Sequence, residues 1–341
     1  MSSAPEIRLG VAGLGGMGMV HAGNARALPG ARLVAVAAAR EGRAEEVGAE
    51  LGIDACSYDE LFGRNDVDAV VVAARSVDHA EVATSVLEAG KHLFLEKPGA
   101  TTLAGHERLR AAARPGLVVQ PGYQRRFDEG YAEARRLVEE GAIGEPLVVL
   151  ATSRDMDWPE VELPSDTGGF LLDMAVHDYD VACWFLPVEV TAVRQARVYP
   201  ELEALGDLDN ALVTIRFANG GMAVTHVSRT CAYGHDVRCE IVGSEGSVFV
   251  GETGAGLVTA AERPRYPQDF RERFADAYRE ELAAFVAACR GEPQRGASIE
   301  TTVARWRSES PPVQVPSPAS RARWAATGPG PSGPAWGQVL Q

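Results

Sequence analysis

Apolar residues fall into two rhythms along this chain. Up to about residue 125, short continuous apolar runs of four to seven residues alternate with stretches of helical periodicity. Runs at 7–13, 32–37, 67–73, 92–95 and 117–122 read as fully buried strands. The stretches 21–28, 44–51, 79–89 and 102–113 read as the helices between them. Strands separated by helices of this length predict an α/β doubly wound parallel sheet. Past residue 125 the pattern changes. A helix over 130–140 is followed by strand-like segments at 147–154, 189–198, 210–217, 222–228, 237–242 and 247–250. Asn219-Gly220-Gly221 and Gly243-Ser244-Glu245-Gly246 mark turns between them. This predicts an α+β second domain with a large, mostly antiparallel open-faced sheet, and one further helix over 270–289. The domains are expected at 1–125, 126–300 and an atypical tail at 301–341. Residues 310–341 hold seven of the twenty prolines and, after Glu309, only Arg321 and Arg323 as charges, a composition expected to be disordered.

The first apolar run leads into Gly13-Leu14-Gly15-Gly16-Met17-Gly18 and then a helix, which gives G-x-G-x-x-G its meaning. Gly13 permits the tight turn, Gly15 lets backbone approach a pyrophosphate, and Gly18 lets helix and strand pack closely. The helix N-terminus offers amide donors to the phosphates. A dinucleotide selective for NAD calls for an acid at the end of the second strand. The residue there is Ala38, with Arg40 two positions on. The expected cofactor is therefore NAD or NADP, with the preference left open. Ala74 and Arg75 follow a strand's carboxyl end, where such sheets bind ligands, and Glu96-Lys97-Pro98 closes the next strand.

The stretch 168–186, GGFLLDMAVHDYDVACWFL, predicts a buried helix on which Asp173, His177 and Asp180, spaced i, i+4, i+7, share one stripe. Asp173 can orient the His177 imidazole and raise its basicity, as an acid/base group requires; a buried Asp–His structural pair is the alternative. Arg125 and Arg126, in YQRRFD, either bind a polar substrate or lace the domain junction.

The chain has 341 residues, 46% of them hydrophobic and 23% charged, as expected of a soluble globular protein. With 33 basic and 47 acidic residues the net charge is -14, and no basic cluster suggests a nucleic-acid partner. No signal peptide or run of 18 apolar residues is seen, so no membrane association is expected. Five scattered cysteines without C-x-x-C point to reduced thiols and a cytoplasmic location. No acidic metal cluster is apparent, and no metal is expected.

Together, AGLGGMGMVHAGNA, LEKP, GYQRRFD and GGFLLDMAVHDYD resemble the Gfo/Idh/MocA oxidoreductases over residues 7 to about 292. Within that family, RRFDEGY, TSRDMDWP and SRTCAYGHDVRCEIVGSEGSV are most similar to the inositol 2-dehydrogenases. The resemblance implies NAD(P)-dependent, reversible oxidation of a secondary alcohol of a cyclitol or sugar. Its catalytic set falls on Lys97, Asp173 and His177. Its substrate-facing positions fall on Arg125, Arg154, Asp155, Trp158, Asp180 and Tyr233. Its cofactor-facing positions fall on Gly13, Gly15, Gly16, Met17, Gly18, Ala38, Arg40, Ala74, Arg75, His79, Glu96 and Lys97. A cis Lys-Pro bond and a homodimer or homotetramer are also implied. The alternatives are an aminocyclitol or sugar dehydrogenase of antibiotic biosynthesis and a non-catalytic dinucleotide-binding regulator. Two departures from the family are Ala38, in place of its usual acid, and the segment after Glu300.

Overall fold

The first sheet of the computed structural model is parallel throughout and has the strand order of a dinucleotide-binding fold. The structure describes residues 5–155, 167–186, 190–197, 210–229, 231, 234–251, 267, 269–300 and 302, all within the unit Met1–Glu309. The strands are β1 (Ile7–Ala12), β2 (Ala31–Ala37), β3 (Asp54–Cys56), β4 (Ala69–Val72), β5 (His92–Leu95) and β6 (Val119–Pro121). They lie in the order β3-β2-β1-β4-β5-β6. The order reverses between β1 and β4, and ligands of such sheets bind outside the strand ends at that reversal. Every residue of β4 is buried, because helices cover both faces and leave no polar side to alternate with. The helices between these strands are α1 (Gly16–Ala27), α2 (Arg43–Leu51), α3 (Tyr58–Gly63), α4 (His79–Glu88) and α5 (Leu103–Ala112).

β3 and α3, three and six residues long, are too short for sequence periodicity to reveal. A capping box marks α3: the Ser57 side chain accepts from the Glu60 amide, and the Glu60 side chain accepts from the Ser57 amide.

After α6 (Glu129–Glu139) come β7 (Pro146–Arg154), α7 (Val176–Phe185), β8 (Val190–Arg197), β9 (Asn210–Phe217), β10 (Met222–Ser228), β11 (Asp236–Gly243) and β12 (Ser247–Val250). The second sheet runs β12-β11-β7-β10-β9-β8. Only the β7–β10 pair is parallel, and the other pairings are antiparallel. One face packs on α6 and α7 through Phe127, Tyr131, Phe185, Val213 and Ile241. The opposite face carries Leu150, 42% exposed, and Phe249, 53% exposed.

Two predicted helices are not continuous. The stretch 168–186 contains a π-helical turn, Leu171–Ala175, ahead of α7. The stretch 270–289 divides into α8 (Phe270–Arg273) and α9 (Ala275–Cys289), with Phe274 between them. Through Leu282, Phe285 and Val286, α9 joins the core of the first sheet against Leu9, Val11 and Phe94. No described helix is long and apolar enough to cross a membrane. The tail at 303–341 lies outside the described residues.

Glu281, on α9, is fully buried. Burial, and then the nearby Glu96 carboxylate, push its own carboxyl well above the usual range. A carboxyl whose folded pKa exceeds its unfolded one contributes most to stability below the unfolded pKa and loses that contribution as pH rises. At pH 7 Glu281 is therefore a net cost that a neutral isostere avoids. Glu281→Gln is expected to raise Tm at pH 7, by about 2–4 °C for each kcal/mol recovered, with the gain vanishing near pH 4. Melting curves of both proteins across that range check this.

Candidate active site

A cleft of about 1590 Å³ opens at the carboxyl ends of β1 and β4 and runs from the glycine loop to α7. The loop has the form of a dinucleotide cradle. Gly13 has φ +99°, and a Cβ on it would lie 2.4 Å from the Ala73 carbonyl oxygen, so only glycine makes this turn. A Cβ on Gly18 would lie 1.9 Å from the Gly13 oxygen. Gly15 has open space instead, at the head of a helix with no side-chain cap and no acid in its first turn. The first-turn amides of α1 and their positive dipole thus face a space that suits a pyrophosphate.

Of the expected cofactor-facing residues, Gly13, Gly15, Gly16, Met17, Ala38, Arg40, Ala74, Arg75, His79, Glu96 and Lys97 line this cleft. Gly18 sits behind it as packing. His79 is buried, with Nδ1 2.7 Å from the Pro98 oxygen and Nε2 3.0 Å from that of Ala74. Glu96 is buried too: Oε1 lies 2.6 Å from His21 Nε2 on α1, and Oε2 accepts from the Lys97 amide at 3.0 Å. It acts from inside, tying the glycine-loop helix to the turn that carries Lys97. The Lys97–Pro98 bond is cis.

The chemical residues arrive from both sheets. Lys97 Nζ donates to Asp173 Oδ1 at 2.8 Å and to the Asp173 carbonyl at 3.0 Å. Arg229, at the end of β10, reaches Asp173 Oδ2 at 3.4 Å. His177 lines the same cleft. Its pKa lies well below the ordinary histidine value, through burial first and then the charges of Arg125 and Lys97.

Three expectations need correction. Asp173 does not orient His177: its carboxylate is taken by Lys97 and Arg229, and His177 Nδ1 has no hydrogen-bond partner. Two cations outcompete a neutral imidazole for a carboxylate, and the π turn resets the helical spacing between the residues. Nor is the imidazole made more basic; burial among cations does the reverse. Asp180 does not reach the cleft. It is buried and holds Arg126 through two bonds of 2.8 Å. Arg154 also points away. Side chains alternate across a strand, so with Ser153 facing the cleft Arg154 falls on the opposite face, 3.1 Å from His226 Nδ1 and 3.4 Å from Asp236 Oδ2.

Arg125 lines the cleft, yet one guanidinium nitrogen donates to Asp178 Oδ1 at 2.9 Å and another to Ser153 Oγ at 3.0 Å. Asp155 lines the cleft as expected. Trp158 and Tyr233 lie outside the described residues. Arg43, Gln124, Arg229, His235 and Arg271, not expected at the site from the sequence, also line the cleft. His235 is 8% exposed and neither ring nitrogen is hydrogen-bonded; its nearest carboxylate oxygen, Asp155 Oδ1, is 3.7 Å away. The signal for Arg229 and His235 is their position at the ends of alternating strands, where polar residues break the pattern.

Comparison with known proteins agrees with this architecture. Residues 7–123 match the oxidoreductase family with an NAD-binding Rossmann fold, and residues 131–249 match the GFO/IDH/MocA C-terminal domain. The chain belongs to the GFO/IDH/MocA oxidoreductase family. It is 38% identical over 298 residues to scyllo-inositol 2-dehydrogenase (NAD(+)) of Bacillus subtilis, covering 84% of this chain and 86% of that one. It is 35% identical to Myo-inositol 2-dehydrogenase of Thermotoga maritima, covering 84% and 90%. The scyllo-inositol dehydrogenase of Lactobacillus casei, solved with bound NAD(H) and scyllo-inositol, superposes with a TM-score of 0.81 at 30% identity, covering 89% of this chain and 94% of that one.

The two glycines separate cofactor binding from folding. Gly15→Ala has room for its methyl and is expected to keep the wild-type Tm while weakening NAD+ binding about tenfold or more, the equivalent of one lost charge-assisted contact. Gly18→Ala drives a methyl into backbone and is expected to lower Tm or abolish folding. Thermal melts with calorimetric NAD+ titration check both.

Proposed function

We propose that this chain is an NAD(P)-dependent dehydrogenase that reversibly oxidises a secondary hydroxyl of a cyclitol to the ketone. One observation carries the reading: Lys97, from the end of β5, and His177, from α7, face one cleft that begins at the glycine cradle. The nicotinamide, when bound, supplies the hydride acceptor. His177, held neutral by burial and nearby cations, takes the hydroxyl proton as the carbon loses its hydride. Lys97 is aimed by Asp173 and stabilises the negative charge that develops on the same oxygen. Asp173 is thus a positioning residue for Lys97. Asp155, His235, Gln124 and Arg229 give the substrate end a mixed donor and acceptor lining, which suits a ring bearing several hydroxyls. The inositol dehydrogenase relatives support the cyclitol class. Residues 1–125 and 126–300 act in this reading as cofactor and substrate domains, and the five free cysteines fit a reducing cytoplasm.

His177→Asn is expected to lower kcat by about 10²–10⁴-fold, leaving Tm and NAD+ affinity close to wild type. In the wild type the acid limb of kcat/KM is expected well below the ordinary histidine range, because the depressed pKa keeps the imidazole a proton acceptor as pH falls. Absorbance at 340 nm with myo- and scyllo-inositol, across pH, checks both. Turnover confined to non-cyclitol alcohols would overturn the substrate class.

The second sheet's open face is proposed as the contact of a homodimer or homotetramer. Leu150, Leu212, Met222 and Phe249 are exposed there, and Leu150 and Phe249 both flank Glu240 in the strand register. A soluble surface seldom leaves such a patch uncovered. Leu150→Arg with Phe249→Arg is expected to give a folded monomer by light scattering.

A further inference from the structure

We infer that the ribose end of the cleft is built for a 2′-phosphate, through Arg40 and Arg43, so that NADP(H) is the preferred cofactor. The inference rests on the dinucleotide reading above and deepens it.

An acid at the end of β2 serves NAD by accepting from the ribose hydroxyls, and the same charge repels a 2′-phosphate. This chain has Ala38 and Ala39 at that point, and both methyls line the cleft. The charged side chains lining this end are Arg40, Arg43, Arg75 and Asp78. Asp78 is already held by Arg75 Nε at 2.8 Å, which leaves the two other arginines as the charge that a ribose substituent meets.

Their geometry is that of an anion site. Arg43 Nε donates to the Leu14 carbonyl at 3.2 Å, so its guanidinium is fixed to the glycine loop itself. Arg43 NH1 lies 2.9 Å from Glu46 Oε2, and Arg40 NH2 lies 3.7 Å from the same oxygen. Two guanidinium groups thus converge on one carboxylate oxygen, the arrangement a phosphate oxygen would find. Glu46 is a surface side chain, 60% exposed, and can swing into water when a dianion takes its place. Guanidinium matches phosphate in shape as well as charge. NAD offers this pair only neutral ribose hydroxyls, where NADP offers a dianion.

The test is calorimetric titration of the full chain with NADP+ and NAD+, with 2′,5′-ADP and 5′-AMP as fragments that differ only by the phosphate. NADP+ is expected to bind at least about tenfold more tightly than NAD+ at low salt, the worth of one added charge-assisted contact. That advantage should shrink as ionic strength rises. Arg40→Ala with Arg43→Ala is expected to lower NADP+ affinity far more than NAD+ affinity, and Ala38→Asp to reverse the preference. Equal or tighter binding of NAD+ overturns the inference and leaves the dehydrogenase reading intact. An NADP+ preference that survives removal of both arginines overturns their assignment. Failure to bind either dinucleotide overturns the cofactor reading as well.

Discussion

The ion pair between Lys97 and Asp173, 2.8 Å long, joins the end of a parallel strand to a π turn before α7. The site depends on it because the cleft is otherwise rich in cations. Lys97, Arg125 and Arg229 all line it, and burial, then the charges of Arg125 and Lys97, push the His177 pKa down. Each cation there has an acid: Asp173 takes Lys97 and Arg229, and Asp178 takes Arg125. Asp173 and Asp178 lie on either side of His177 in sequence, and neither bonds to it. The imidazole is left uncharged and uncommitted, which is the state a proton acceptor needs.

A second carboxylate organises the cofactor side. Glu96 bonds to His21 with one oxygen and to the Lys97 amide with the other. His21 rides on α1, one turn past the glycine loop, and packs edge-on against Phe94 of β5, with ring centroids 4.9 Å apart. A buried acid therefore fixes the distance between the pyrophosphate cradle and the lysine turn. Its charge also reaches Glu281 on α9, whose carboxyl is driven toward the neutral form by burial and by Glu96. Of these two buried acids, the charge rests on Glu96, the one that has partners.

Backbone requirements were legible in the residues, and partner choices were not. Gly13 and Gly18 show in the sequence because a turn and a close approach forbid any side chain there. The runs of β1, β4 and β5 show because a sheet covered on both faces tolerates no polar alternation. Asp173 and Lys97 are 76 residues apart, and Asp180 and Arg126 are 54 apart, so no local spacing reveals either pair. The π turn is hidden because LLDMA is apolar enough to suit either helical period. Arg154 is a different case: the alternation of β7, with Val149 and Ser153 buried, already assigns the residue after Ser153 to the far face.

That difference explains why the two ends of the cleft differ in how far they can be read. The cofactor end is shaped by backbone, and a dinucleotide's phosphates are recognised largely by amides and a helix terminus. Its remaining variable is a few side chains after β2, where Ala38 and Arg40 stand in plain sequence. The other end is lined by side chains from α7, from the ends of β7 and β10 and from the start of β11, gathered from positions far apart in the chain. A hydroxylated ring is recognised by donors and acceptors in a fixed spatial order, which no local spacing in a sequence encodes. His177, His235 and Asp155 come from three separate parts of the chain, and only the fold gathers them into one cleft.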